Sequence, residues 1–329
     1  MTTGRLGHPA APPNAAYAGQ VVHFPDPVRA ARHPRGVRVD AEGFPDFSAY
    51  ARAAAEIAEP PEGFGVDELR LTDYVSANAA LKADGHPLWD GLPAVATPHG
   101  WTWHHVPRTR RMELVPVEVK ALLRHHGGLA TAAVDQHKRG TRPLQETRPA
   151  HFGLPRGAVS VTETQLQDVE EDLGYRLPGA YRSFLKAAGG CAPVGVALDA
   201  ELGLLVDQPF LTVRDEAGAN DLVYANKCLR DHLTKDYLGV AFVQGGLVAV
   251  KVRGARAGSV WFCPYDDARD GDGSAIQERM ERLLLPCGDD FDAFLLRLAG
   301  SPPELETVAN LMVDGGFARA VPVTVKGDG

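Results

Sequence analysis

The run Gly100-Trp101-Thr102-Trp103-His104-His105-Val106 decides the reading of this chain, together with its continuation through Pro107–Arg111, Met112-Glu113-Leu114-Val115-Pro116 and Val117–His126 to Gly127-Gly128. Two short apolar runs joined by a polar turn predict a β-hairpin. Pro116 suits the start of a helix and the double glycine its end, so the pattern predicts strand, strand, helix. The histidines sit at the two ends of that unit: His104 and His105 leave the first strand, His125 and His126 close the helix. Folding the hairpin onto the helix can bring them together around one divalent metal ion. Imidazole serves both as a metal ligand and as a base able to take a proton from water near neutral pH, and phosphodiester hydrolysis needs both. Arg108, Arg110 and Arg111 lie in the adjacent turn, where guanidinium groups can meet a nucleic-acid backbone. Neighbours on a regular strand face opposite sides, which puts His105 with Trp101 and Trp103, and His104 with Thr102. Both can serve one site only if the strand ends or twists near Pro107.

Working outward, 329 residues exceed the usual size of one core and suggest two units. Hydrophobic content of 44% with 23% charged residues is that of a globular chain and excludes collagen-like, fibrous and fully disordered folds. No stretch approaches the roughly 18–20 apolar residues of a membrane span, and Met1–Gln20 lacks the pattern of an export signal, so a cytoplasmic location without membrane contact is expected. The four cysteines, Cys191, Cys228, Cys263 and Cys287, form no CxxC pair and read as free thiols. The net charge of -8 is unevenly spread: residues 1–150 carry 17 basic against 16 acidic side chains, and residues 151–329 carry 17 against 26. Residues 101–150 hold 9 basic and 4 acidic, the window a polyanion prefers.

Residues 1–40 mix Ala, Pro and Gly without a sustained period and read as a flexible arm. A small unit is expected over 41–130, with helices at Ser48–Ala58, which is Ala-rich, and at Asp73–Leu81. Residues 131–157 read as a basic linker. A second unit opens with Thr162 and Gln165 as a capping box before Leu166, Val169, Leu173 and Leu177 at helical spacing; Leu177-Pro178 interrupts, and Gly189-Gly190 stops the next helix at Tyr181–Leu185. Tyr237–Val243, Leu247–Val252 and Ser259–Cys263 read as antiparallel strands, and Asp289–Leu298 as a closing helix. The fold class is α+β, a small ββα unit followed by a unit whose helices flank a mainly antiparallel sheet, ending in a tail over 301–329. Asp266, Asp267 and Asp270 read as an acidic turn, and His33 and His232, among other histidines, as ordinary surface or loop residues.

The hairpin and its surroundings resemble the HNH/Endonuclease VII nuclease superfamily, in the subgroup named for its Trp-His-His motif that is common in bacterial polymorphic toxins. Gly43–Ser48, Tyr50, Asp73, Ala77-Asn78, Pro98–His105, Met112, Leu114–Pro116 and His125–Gly128 carry the likeness, over residues 41–130. The resemblance implies His105 as general base, His104 and His125 as ligands of a divalent ion (Mg, Mn or Zn), and DNA or RNA as substrate. It departs at Lys120, where the family has a further histidine. A protonated lysine cannot donate to a metal, so His126, Glu118 or water would have to substitute, or Lys120 would hold a phosphate as a point charge. From 158 to 300 the chain resembles the SUKH superfamily (Smi/Knr type), through Val161–Glu163, Glu171–Pro178, Tyr181–Leu185, Gly189-Gly190, Val248–Val252, Gly258–Phe262 and Asp290–Leu295. That implies binding of a protein partner, such as a nuclease toxin. Two functions follow from the pair: a metal-dependent endonuclease fused to a binding domain in a toxin–immunity context, or a non-catalytic binding protein with a decayed nuclease unit.

Overall fold

The hairpin forms as its period-two pattern requires. The computed structural model describes residues 12–60, 62–138, 150–153, 160–193, 196–199, 201–213, 218–229, 231–270, 275–300 and 303–323. In the first unit the strands are β1 (Val21–Val22), β2 (Val37–Val39), β3 (Pro45–Asp46), β4 (Ala53–Ile57), β5 (Trp101–His105) and β6 (Arg111–Pro116), and the helices are α1 (Pro27–Arg32), α2 (Val66–Ala83), α3 (Val117–Lys120) and α4 (Gly128–Thr131). Met112 and Leu114 of β6, Trp103 of β5 and Ala53, Ala55 and Ile57 of β4 turn to one face and pack under Tyr74, Ala77 and Leu81 of α2. Val115 turns to the other face and packs with Val119, Leu122, Phe24, Val37, Val39 and Phe47.

The second unit contains β7 (Phe152–Gly153), β8 (Ala192–Pro193), β9 (Ala197–Asp199), β10 (Leu204–Val206), β11 (Tyr237–Val243), β12 (Gly246–Lys251), β13 (Val260–Pro264), β14 (Leu285–Gly288) and β15 (Ala299–Gly300), with α5 (Glu163–Leu173), α6 (Gly179–Ala188), α7 (Leu222–Lys227), α8 (Ile276–Leu283) and α9 (Phe291–Arg297). Strands β11-β12-β13-β14 make an antiparallel meander. Tyr181 and Phe184 of α6, Phe210, and Phe291 and Phe294 of α9 form the aromatic heart of its core. The predicted start is present in detail: the Thr162 hydroxyl accepts from the Gln165 N–H, and the Gln165 side chain accepts from the Thr162 N–H.

Several expectations give way to tertiary context. Residues 12–40 are no loose arm: β1, β2 and β3 form a sheet, and Phe24, Val37 and Val39 are buried against the back of β6. Ser48–Ala58 is a short turn of 3-10 helix and then β4. Its alanines favour helix in isolation, but here β6 supplies strand hydrogen bonds and the small side chains let α2 approach closely. The helix after Pro116 ends at Lys120 instead of running to His126. Gly127 and Gly128 are not a left-handed cap. They permit close approach, since a Cβ on Gly127 would lie 2.5 Å from Asp266 Oδ2 and one on Gly128 2.9 Å from His105 Cβ. Within the expected linker, Lys138 anchors to Glu68 at 2.7 Å and β7 pairs with β8; 139–149 and 154–159 lie outside the described residues.

The expected tail is the largest difference. Helix α10 (Pro303–Asp314) packs along α2, with Ala309 beside Val75 and Ala79. Strand β16 (Ala318–Val321) then pairs antiparallel with β4, so the first unit's sheet has the order β16-β4-β6-β5. The second unit is therefore inserted between the first unit's hairpin and its last strand.

Candidate functional site

Strand β5 is the sheet edge on the side facing the second unit, and that unit closes it. The Trp103 N–H and Thr102 hydroxyl donate to Gln244 Oε1, each at 3.2 Å, and the Gln244 amide donates to the buried Asp207 carboxylate at 3.1 Å. Asp207 also accepts from the Thr97 N–H, and burial raises its pKa. Thr97 joins Asn78, which accepts from the Trp103 indole at 2.8 Å. Trp103 is thus held at both its backbone and its ring, with the ring fully buried.

The histidines of β5 alternate as the pleat demands. His105 faces α2, where its Nε2 is 3.0 Å from Asp73 Oδ2 and its ring rests against Tyr74. Burial lowers the His105 pKa and Asp73 partly restores it. His104 faces the other side and meets His125 ring to ring at 5.2 Å, with Phe47 edge-on to both. Strand β5 stays regular through His105, so its two histidines do not converge. Burial holds His104 well below its ordinary pKa and takes His125 to about 4, which leaves both imidazoles neutral at physiological pH.

Lys120, 1% exposed, lies beside this pair. Its ammonium donates to the Trp103 carbonyl, burial lowers its pKa to about 8, and its charge depresses both His104 and His125. Among the described residues His104 Nδ1 and His125 Nε2 are buried without hydrogen-bond partners. Two free nitrogens are what metal ligands would present, but the donor set stops there. Glu118 is taken by His33 at 2.7 Å and by Arg32 at 3.1 Å, and the His126 ring by the Asp270 carbonyl. Among the described residues no group of three His, Cys, Asp or Glu side chains is placed to share a cation. Two neutral imidazoles and an ammonium, none more than 3% exposed, do not fit a hydrolytic divalent ion, which needs at least three donors and a position open to water.

The three arginines are also committed. Arg110 donates to Asp73 at 2.7 Å and to the Ala58 carbonyl, Arg111 to Glu113 at 3.2 Å and to the Pro322 carbonyl, and the exposed Arg108 pairs with Glu42 over the Phe44 ring. The residues that sequence reasoning missed come from the acidic turn of the second unit. Asp266 accepts backbone N–H bonds from Gly127 at 2.6 Å and from Leu129 and Ala130 at 2.9 Å. Asp270 pairs with Arg124, and the ring of His232, buried instead of superficial, meets the Ala121 carbonyl at 2.9 Å. The close-packed Gly127-Gly128 was the one local signal of this contact.

Residues 93–135 match the family model described as a nuclease of the HNH/ENDO VII superfamily with conserved WHH, and residues 160–297 match the SMI1 / KNR4 family (SUKH-1). The chain therefore joins a WHH nuclease-family segment to a SUKH segment. No curated protein matches it. Nucleases of this superfamily usually use a divalent metal, and SUKH domains typically interact with proteins. Among the described residues no helix is long and apolar enough to cross a membrane.

Proposed function

We propose that this chain is a non-catalytic binding protein of a bacterial toxin–immunity setting, which engages a protein partner, such as a nuclease toxin, through its SUKH-type unit. The WHH unit has become half of the scaffold. One observation carries this reading: Lys120 supplies a buried ammonium where the third imidazole of a metal centre is expected, beside the touching rings of His104 and His125. A cation already resident repels a second, and His104, His105 and His125 are buried, at 1%, 3% and 0% exposure.

The catalytic reading keeps one point in its favour, the His105–Asp73 pair, which is how a general base is oriented. The two separate in one experiment. Full-length protein and the Lys120→His and His105→Ala variants are incubated with plasmid DNA and with RNA in magnesium, manganese or zinc, with and without chelator. The full-length protein is expected to show no chelator-sensitive cleavage. Lys120→His is expected to gain zinc-dependent stabilisation of about 2–3 kcal/mol at roughly a hundredfold excess over Kd, read as a rise in Tm. Cleavage by the parent that disappears in His105→Ala defeats the proposal.

A further inference from the structure

The second unit carries an open cleft of about 760 Å³ between the end of α5, the loop leading into β11 and the turn after β12. Its floor is aliphatic, formed by Leu173, Leu229 and Leu233. Its rim is cationic and aromatic. The Arg253 guanidinium lies 5.1 Å above the Tyr175 ring, with Lys235 adjoining, and just outside the lining Lys251 lies 5.7 Å from the ring of Tyr237. Among the described residues Lys235, Lys251 and Arg253 have no carboxylate within ion-pair distance, whereas the nearby Arg256 is paired with Asp289 at 3.3 Å. Among the described residues Asp236 is the one carboxylate lining the cleft. This local surplus stands on the half of the chain that carries 17 basic against 26 acidic residues, where unpaired cations are least expected.

We infer that this cleft docks an acidic segment of a protein partner, its carboxylates meeting Lys235 and Arg253 and one leucine-sized side chain seated on the aliphatic floor. The inference rests on the binding role proposed above and names the chemistry of the partner. Stacking on Tyr175 fixes the Arg253 fork, so less side-chain freedom is lost when it binds a carboxylate. The partner does not add as a strand to β11, because the Asn226 side chain already satisfies both the N–H and the carbonyl of Gly239, at 2.8 Å each. Nucleic acid fits less well. Cations already cover the faces of Tyr175 and Tyr237 on which bases would stack, and Asp236 together with the acidic surroundings opposes a continuous polyphosphate.

The test titrates the full chain into a fluorescently labelled synthetic peptide in which glutamates flank a single leucine, followed by anisotropy. Saturable binding that weakens with salt is expected. Arg253→Glu and Lys235→Glu should each weaken it roughly tenfold or more while leaving the circular-dichroism melt unchanged. A peptide with lysines in place of the glutamates should not bind. Absent saturation, equal binding by the charge-reversed variants, or more effective displacement by a single-stranded oligonucleotide than by unlabelled peptide would each overturn the assignment. The plasmid assay above reads catalysis independently, so a failed titration and a failed non-catalytic reading leave different signatures.

Discussion

Lys120 differs from the imidazole expected at its position in bringing its own charge into a buried setting, where burial first, and for His104 and His125 the Lys120 charge as well, keeps the imidazoles neutral. Folding therefore excludes protons from His125, held at about 4, from His232, held at about 3, and from His104. Each has a folded pKa below the ordinary value near 6.5, so between pH 6.5 and the folded value the unfolded chain binds a proton that the folded chain refuses, and stability falls as pH falls. Asp207 and Asp270, raised by burial, oppose this toward the lower end of the window. The expected outcome is a urea midpoint that declines from pH 7 to pH 4, with His125 contributing on the order of 3 kcal/mol. His125→Gln should flatten the decline; an unchanged slope would show that His125 is not held neutral. Residue types were legible here, because the motif displays its histidines and its lysine openly. The strand period already separated His104 from His105 and the resemblance paired His104 with His125, whose rings do meet; what was not legible is that His105 turns to Asp73, because that contact is made across to α2.

Helix α3 shows where local reading stops. Pro116 announces its start, and nothing in residues 117–126 announces that it ends after one turn. The end is dictated from outside, by His232 at the Ala121 carbonyl and by Asp266 at the N–H groups of Gly127, Leu129 and Ala130. Asp266→Ala strands three buried or partly buried donors and should cost roughly 2–5 kcal/mol, with faster hydrogen exchange at Leu129 and Ala130. Asp289→Ala removes an exposed pair with Arg256 and should stay within about 0.5 kcal/mol. Equal effects from the two would mean that the second unit merely touches the 127–130 segment and does not shape it. By contrast α5, α6 and the β11–β13 meander were legible, because capping box, glycine stops and alternation all lie within the segments they govern.

Across the whole molecule the two family segments share more than a linker. Val117 and Ala121 belong to the second unit's core, and Leu205 and Val196 pack with α2 and α10 of the first. Calorimetry should therefore show one cooperative unfolding transition, and truncation after Gly300, which removes α10 and β16, should abolish it even though the SUKH match ends before that point. Two resolved transitions in the full chain, or a truncated chain that melts as the parent does, would contradict this. The second unit's helices and strands were readable because their signals lie within one contiguous stretch. The limits of the first were not, because a strand with no distinctive motif returns from the far end of the chain to complete its sheet. That return also sets an order of manufacture. During translation β4 waits with an open edge until the ribosome has delivered the entire SUKH-type segment and then Ala318–Val321. A stalled ribosome or a premature stop codon between the hairpin and Ala318 thus releases a first unit whose sheet lacks its last strand.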